Sequence, residues 1–405
     1  MDRTARHGMG PAAEFRRITR RLALASFALG GLLAPAVVLA QGAPGISKNE
    51  IKLGAVYPLS GPTRLVTDPY RRGIALAFDK VNDEGGIHGR KIKWLQEDDA
   101  YQPARTLAGA KRLVERDQVF MLVGQVGTPT TLAVMPYAEQ NKIPFFTLVN
   151  PPDPSKRYTF GMTASYGDQM YQVTKYLVEK KGLKRIGFFY QNDDLGEAGR
   201  IGLNRALKEL GMTLAADVGF ERGTSDFSTQ VLRLRDAEVD GVIAMAVAPS
   251  TGTAVKQALA IGYKPVWGTF SIGGGAAIQD VLGTAIEGLV FTSEVFTQFS
   301  DVPAVQEVKR LMEKYNPGIA MEWGVLIGYA QGTIVVETLK ALGPNPTRDG
   351  VVAELDQRGT WDIGVMAPVS YGPGKRSATN KLGVFEWKDG KSVQVVDWVP
   401  VTEQR

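Results

Sequence analysis

The chain has 405 residues, of which 44% are hydrophobic and 22% are charged, a balance typical of a soluble globular protein. At this length, two domains of about 150 residues are more usual than a single core. The sequence contains no cysteine, which excludes disulfides, thiol catalysis, cysteine–metal sites and a cysteine-linked lipid anchor.

The net charge of +5 is unevenly distributed along the chain. Residues 1–40 contain six basic and two acidic side chains, which leaves 41 basic against 40 acidic side chains in the remainder. This nearly neutral body lacks the basic excess typical of nucleic-acid binding, so nucleic acid is not expected as a partner.

The first 40 residues have the layout of a signal peptide. The basic segment FRRITRR precedes an apolar run, residues 22–40, and Val38 and Ala40 stand at the −3 and −1 positions of a cleavage site before Gln41. Cleavage there would release a periplasmic protein without a lipid anchor. An uncleaved membrane anchor is the alternative, because the run is long enough to cross a bilayer.

Two export routes stay open for this leader. The segment TRRLAL partly resembles a twin-arginine signal, but Ala23 stands where that pattern prefers phenylalanine or leucine. The sequence is therefore compatible with either general secretory or twin-arginine export.

The first half of the body alternates short apolar strands with amphipathic helices. Strands are predicted over residues 50–59, 90–99, 119–124 and 143–149, and helices over residues 69–86, 103–117 and 130–141. Such alternation predicts a parallel sheet that is covered by helices on both faces.

The same alternation then begins again. Helices are predicted over residues 169–182, 197–211, 227–240, 251–262, 303–315 and 325–343, and strands over residues 185–191, 213–220, 241–247, 265–270 and 287–295. Residues 381–400 are predicted to form strands joined by a turn at Lys388, Asp389 and Gly390. The pattern predicts an α/β protein with two similar lobes rather than one long sheet.

Residues for catalysis are scarce, so an enzyme is not expected. Histidine, the usual base of a hydrolase triad, occurs only as His7 in the leader and His88 in a Gly-rich turn, which also disfavours catalytic zinc. The motif GxxxxGK[ST] is absent. The segment GTFSIGGGAAI, residues 268–278, lacks the third glycine of GxGxxG and is predicted to be a flexible loop. No cofactor and no metal are expected.

Two acidic stretches are interpreted as local structure. In Glu97-Asp98-Asp99, successive side chains alternate in direction along a strand, so they cannot surround a cation, and one ordered carboxylate is expected at the strand end. In NDDLG, residues 192–196, the acids are expected to cap a helix.

One stretch, LVGQVGTPTTLAVMP at residues 122–136, predicts a strand, a tight turn and the start of a helix. Such a junction presents unpaired N–H groups and the positive end of a helix dipole, and it therefore attracts anions. On these residues alone, a capped helix and a ligand-binding site are both open interpretations.

Several longer segments resemble the leucine/isoleucine/valine-binding branch of the periplasmic binding proteins, the solute receptors of ABC importers. They are IKLGAVYPLSGP (51–62), VNDEGGIHGRKI (81–92), EDDAYQPARTLAGAKRLV (97–114), residues 122–136 and DLGEAG (194–199). The resemblance extends over nearly all of the mature chain. GTPTTLAVMPY and YQNDDLG also resemble a subgroup that includes receptors for aromatic and other apolar carboxylic acids.

The resemblance implies two Rossmann-like lobes with parallel-type sheets, joined by three hinge crossings, with the ligand in the cleft between them. Lobe 1 would comprise residues 49–163 and 298–372, and lobe 2 would comprise residues 164–297 and 373–405. The resemblance also implies a monomer that closes on a small-molecule carboxylate and is recognised by an inner-membrane ABC permease.

The resemblance further implies where the ligand lies. Its carboxylate would be bound by the Thr128 hydroxyl and by the N–H groups of Thr128 and Thr130, since Pro129 has no N–H group. The expected ligand-binding residues are Val66, Tyr101, Gln125, Gly127, Thr128, Val149, Asn150, Leu195, Ala248, Phe270 and Ser271.

Departures from the family pattern indicate the kind of ligand. Phe270 stands where the amino-acid receptors have an acidic residue that pairs with the ammonium group of the ligand. Leu195, Val66 and Ala248 replace aromatic residues, and Asn150 stands near the place of an expected hydroxyl residue. Because an unpaired ammonium is costly to bury, the expected ligand is an aromatic or branched aliphatic acid without an amine.

Other functions stay open beside this one. The protein could bind a branched-chain amino acid or an amide, with Asp193 or Glu294 pairing with the ammonium. It could also signal to a sensory protein instead of a permease. A Rossmann-type enzyme is the least supported class, since no complete cofactor fingerprint occurs.

Overall fold

The computed structural model describes residues 43–149, 153, 155–275 and 277–402. The predicted signal peptide, His7 and Asn150 lie outside the described residues. Within the described part of the chain, none of the helices combines the length and the apolar character needed to cross a membrane.

The first α/β unit follows the predicted order of elements as far as β4 and adds the unpredicted strand β5. It contains β1 (Glu50–Tyr57), α1 (Arg64–Asp83), β2 (Lys91–Asp98), α2 (Pro103–Lys111), a π-helical turn (Arg112–Arg116), β3 (Met121–Gln125), α3 (Thr128–Gln140), β4 (Phe145–Thr147) and β5 (Thr159–Gly161). The five strands form a parallel sheet in the order β2-β1-β3-β4-β5.

Neighbouring residues of β3 explain why this sheet is buried on both faces. The side chain of Leu122 belongs to an apolar cluster with Val134 of α3, whereas Val123 belongs to the cluster that contains Ile74 of α1. Successive side chains of a strand point to opposite faces, so the continuous apolar run of β3 requires helices on both sides of the sheet.

The second unit begins with the next helix. It contains α4 (Tyr166–Glu179), β6 (Ile186–Gln191), α5 (Asp194–Glu209), β7 (Ala216–Phe220), α6 (Ser228–Asp236), β8 (Gly241–Met245), α7 (Ala248–Ala260), β9 (Val266–Thr269), α8 (Ser271–Gly274), α9 (Ala277–Leu282), a 3₁₀ turn (Gly283–Ile286) and β10 (Val290–Ser293). Strands β6 to β10 pair in parallel.

The remaining elements return to the first unit and then to the second. They are α10 (Pro303–Tyr315), α11 (Trp323–Ala341), α12 (Arg348–Gln357), the short strands β11 (Thr360–Trp361) and β12 (Val369–Ser370), β13 (Lys381–Lys388) and β14 (Lys391–Pro400). Helices α10 and α11 pack on α1. Strands β13 and β14 complete a seven-stranded sheet in the order β14-β13-β10-β9-β8-β6-β7.

The α/β architecture with two mostly parallel sheets confirms the predicted fold class. Along the described residues the chain passes between the two units three times, after β5, after β10 and between β12 and β13. The C-terminal hairpin is also confirmed, with Asp389 at φ 51° and Gly390 at φ 70° in the turn between antiparallel strands. The exact limits of the lobes stay a prediction.

The segment predicted to be a loop after β9 is partly helical. Residues Ser271–Gly274 form the short helix α8, in which the N–H groups of Gly273 and Gly274 donate to the carbonyl of Phe270. A Cβ on Gly274 would lie 2.2 Å from Cβ of Phe291 in β10. This glycine therefore allows close packing on the sheet, and its presence does not indicate mobility.

Candidate ligand-binding site

The junction between β3 and α3 presents free backbone donors. Gly127 has φ 99°, a conformation that favours glycine, and a Cβ there would lie 2.4 Å from Cε2 of Tyr101. The Thr130 hydroxyl donates to the carbonyls of Val126 at 2.7 Å and Gly127 at 2.9 Å. Among the described residues, the N–H groups of Thr128 and Thr130 have no acceptor. The junction can therefore bind an anion at a helix N-terminus.

Tyr166 connects this junction to the second unit. The Thr128 hydroxyl donates to the hydroxyl of Tyr166 at 3.4 Å, and both side chains are buried. The Tyr166 ring meets the Phe270 ring edge-on, with centroids 5.1 Å apart. Burial raises the pKa of Tyr166 well above its usual value, so its hydroxyl stays neutral.

The sequence analysis missed Tyr166, although one local signal marks its position. Ser165 caps α4, because its side-chain oxygen accepts the N–H of Asp168 at 3.0 Å. Tyr166 is thus the first residue of the helix that begins the second unit.

A buried carboxyl group lies beside Phe270. The N–H of Ser271 donates to Oε1 of Gln169 at 2.9 Å, and its hydroxyl donates to Oε1 of Glu294 at 3.3 Å. The same oxygen of Glu294 accepts the N–H of Ala164 at 3.1 Å. Burial raises the pKa of Glu294 to about 7. Its Oε2 has no hydrogen-bond partner among the described residues.

We refer to Thr128, Tyr166, Phe270, Ser271 and Glu294 as the buried cluster. It joins a donor-bearing junction of the first unit to aromatic and carboxyl groups of the second. Hydroxyl, backbone N–H and carboxyl groups of this kind can form hydrogen bonds with a small ligand. The described histidine, His88, lies in an exposed turn and contacts the carbonyl of Lys340, as predicted for a turn residue.

Tyr101 packs on Gly127 at the edge of the buried cluster. It has φ 61°, an uncommon conformation for a tyrosine, and its N–H donates to Oδ1 of Asp99 at 2.7 Å. The other oxygen of Asp99 accepts the Thr106 hydroxyl at 2.8 Å. The Tyr101 hydroxyl is buried close to the Gln191 side chain, and it makes no hydrogen bond of good geometry among the described residues.

The expectation of one ordered carboxylate at the end of β2 is wrong, because Asp98 and Asp99 are both held there. Glu97 also pairs with Arg112. Besides Asp99, the neighbouring Asp98 accepts the N–H of Leu59 at 2.9 Å and the Ser60 hydroxyl at 2.6 Å. The two acids stabilise different loops because successive side chains of a strand diverge. Across the described part of the chain, no group of three histidine or acidic side chains is arranged to hold a metal ion.

The acids before α5 cap the helix, which confirms that interpretation. Oδ1 of Asp193 accepts the N–H of Leu195 at 3.0 Å. Oδ2 of Asp193 accepts hydrogen bonds from Nη2 of Arg222 at 2.8 Å and from Nε2 of Gln191 at 2.6 Å. Asp193 is therefore already paired with a cation.

The other expected ligand-binding residues do not join the cluster through polar or ring contacts. The side chains of Val66, Val149, Leu195 and Ala248 are buried and apolar. Helix α1, which carries Val66, approaches α7, which begins at Ala248. Gln125 is buried at the end of β3, and its amide donates to the carbonyl of Val126 at 3.1 Å. These placements leave the roles of these residues as predictions.

The buried cluster lies where strands of the two α/β units end, and the three chain crossings join these units. Residues 50–392 match the family described as periplasmic binding protein. The chain belongs to this family, whose members bind solutes and are not enzymes, and the family implies an extracytoplasmic location.

Relatives and solved structures agree with this assignment. The Leu/Ile/Val-binding protein homolog 7 of Brucella suis is 24% identical over 90% of this chain and 95% of its own length. A possible leucine/isoleucine/valine-binding protein from Rhodopirellula baltica is 29% identical, with a TM-score of 0.81 over 88% of this chain and 98% of its own. A fatty acid ABC transporter substrate-binding protein from Thermomonospora curvata is 21% identical. Its TM-score is 0.80, and the match covers 89% of this chain and 95% of that protein. At 21% identity, this last likeness concerns the fold alone.

Proposed function

We propose that the protein is the extracytoplasmic receptor of an ABC importer and binds a small carboxylate with an aromatic or branched apolar body. The observation that carries the proposal is that Thr128 and Phe270, on different units, both contact Tyr166. The Thr128 hydroxyl and the free N–H groups at the start of α3 supply donors for a carboxylate. The two rings supply an apolar wall for the rest of the ligand.

The buried position of these groups favours binding over catalysis. Among the described residues, the Thr128 hydroxyl contacts the neutral Tyr166 hydroxyl and no base that could activate it. Charge-assisted hydrogen bonds to a carboxylate are stronger when water is excluded. The proposed ligand would therefore be bound and released unchanged.

We further propose that the two units move as lobes about the three crossings and that closure is recognised by an inner-membrane permease. The lobes would comprise residues 49–163 with 298–372, and residues 164–297 with the C-terminal residues. Cleavage of the leader before Gln41 would release a monomer into the periplasm without a lipid anchor.

A second candidate function is uptake or sensing of a branched-chain amino acid or an amide. The observation in its favour is the unpartnered Oε2 of Glu294, since a carboxylate oxygen beside the buried cluster could accept an ammonium or amide N–H. Relatives named for leucine, isoleucine and valine binding also favour it. Asp193 is the weaker partner for an ammonium because Arg222 already occupies it.

A thermal-shift screen against aromatic acids, fatty acids, amino acids and amides tests both candidates together. A ligand at about 100 times its Kd stabilises the folded protein by about 2.7 kcal/mol. Stabilisation by the acids and not by the amino acids or amides is expected. Stabilisation by the amino acids alone would replace the proposed function with the second candidate.

A further inference from the structure

A cavity of about 420 Å³, which we call the outer cavity, lies between the two units next to Tyr101. The first unit contributes Tyr101 and its neighbours in the loop after β2. The second contributes Arg222 after β7, Phe227, and Pro249 and Thr253 of α7. Cavities of about 300–1,000 Å³ are typical of small-molecule sites. Tyr101 also packs on Gly127, so the outer cavity adjoins the junction that carries Thr128.

One wall of the outer cavity offers an unused hydroxyl. Tyr101 is only 8% exposed, and its hydroxyl lies close to the Gln191 side chain but makes no hydrogen bond of good geometry among the described residues. The backbone conformation at φ 61° is held by the bond from its N–H to Asp99. An uncommon conformation that is held in place next to a cavity is typical of functional positions.

The opposite wall offers a cation. Nε and Nη2 of Arg222 donate to the same oxygen of Asp193, at 3.2 and 2.8 Å, and no bond to its Nη1 occurs among the described residues. Its guanidinium carbon lies 5.5 Å from the centre of the Tyr101 ring. Among the described residues that line the cavity, Arg222 is the single charged residue, and no acidic residue belongs to the lining. Nη1 of Arg222 can donate to an oxygen acceptor, and the neighbouring Asp193 carboxylate balances the charge of the guanidinium.

We propose that the outer cavity binds the far end of the ligand, and that this end carries an oxygen acceptor that Tyr101 Oη and Arg222 Nη1 bind. The ligand class is thus a carboxylate with a second acceptor, a hydroxyl, carbonyl or carboxylate, at the opposite end of an apolar body. This inference rests on the proposed function and names the substrate class of the same cleft.

Calorimetry with two matched pairs of probes tests the inference. The pairs are phenylacetate with 4-hydroxyphenylacetate, and hexanoate with adipate. In at least one pair, the acid with the far-end oxygen is expected to bind about tenfold tighter or better, the gain typical of a hydrogen bond to a charged group. Equal or weaker binding of that acid in both pairs would overturn the inference and leave the proposed function intact. If none of the four acids binds, this inference is overturned, and the thermal-shift screen with the wider set of acids decides the proposed function separately.

Single-residue variants then test which side chains cause the tighter binding of the acid with the far-end oxygen. Tyr101→Phe removes only the hydroxyl, and Arg222→Gln removes the cation; each is expected to reduce the preference within the pair to less than about threefold. Arg200→Gln is the matched control, because Arg200 also pairs with an aspartate, Asp217 at 2.7 Å, and lies over a tyrosine ring without lining the cavity. A preference that is unchanged in both cavity variants would contradict the assignment. If Arg222→Gln does not fold because Asp193 loses its partner, the Tyr101→Phe variant alone decides the test.

Discussion

The hydroxyl groups of Thr128 and Tyr166 lie 3.4 Å apart, although the two residues begin helices of different α/β units. The contact brings the free N–H groups of one helix N-terminus next to the aromatic pair Tyr166 and Phe270. In the proposed function, a carboxylate with an apolar body would contact both surfaces at once. The first predictions below concern these residues.

Thr128→Val keeps the shape of the side chain and removes its hydroxyl. The proposed carboxylate loses one charge-assisted hydrogen bond, which we expect to weaken binding by roughly 1.5–3 kcal/mol, or about ten- to hundredfold. Titration calorimetry with the best acid from the screen measures the change.

Thr174→Val is the control for this variant. Thr174 is fully buried in α4, and its hydroxyl has no hydrogen-bond partner among the described residues. Its loss should leave the affinity unchanged. Equal affinities for wild type and Thr128→Val would remove Thr128 from the site.

Glu294→Gln separates the two candidate functions. Glutamine can still accept the N–H of Ala164 and the Ser271 hydroxyl, but it carries no charge. An acid without an amine should bind the variant within about threefold of the wild type. If the protein instead binds leucine, loss of the carboxylate should abolish leucine binding, because the ammonium would be buried without a partner.

Glu294 also makes stability depend on pH in a predictable direction. Burial raises its pKa from 4.5 to about 7, so the folded state favours the protonated carboxyl. Its contribution to the free energy of unfolding is present below about pH 4.5 and is lost as the pH rises through 7, by up to roughly 3 kcal/mol.

Denaturant unfolding of wild type and Glu294→Gln at pH 5 and pH 8 measures this contribution. The variant should lose less stability between the two pH values than the wild type does. The variant should keep the pH-dependent loss of stability that comes from Glu322, because burial also raises the pKa of Glu322 to about 7. Identical pH dependence of the two proteins would show that Glu294 does not titrate in this range.

The order of strands and helices could be predicted because each long element carries its own apolar period. Strand β5 and helix α8 could not be predicted, because segments of three and four residues are too short to show an apolar period. The contact of Thr128 with Tyr166 joins residues 38 positions apart, and no local pattern encodes it. The same holds for the unpartnered oxygen of Glu294, which depends on burial by several elements.

Export is tested on the intact chain. The basic segment FRRITRR and the apolar run at 22–40 predict cleavage before Gln41. Mass spectrometry of protein released by osmotic shock should give a mature N-terminus near Gln41. Recovery of the full-length chain in the membrane fraction would support the uncleaved anchor instead.

The central claim is that the cleft binds carboxylates that lack an amine. It is tested most directly by calorimetric titration of matched pairs, phenylacetate with phenylalanine and isovalerate with leucine. Phe270 offers apolar contact and no charge to an ammonium, so each acid should bind at least about tenfold tighter than its amino acid, a difference of about 1.4 kcal/mol. Tighter binding of the amino acid in both pairs would contradict the claim, and Glu294 would then be the residue that pairs with the amine.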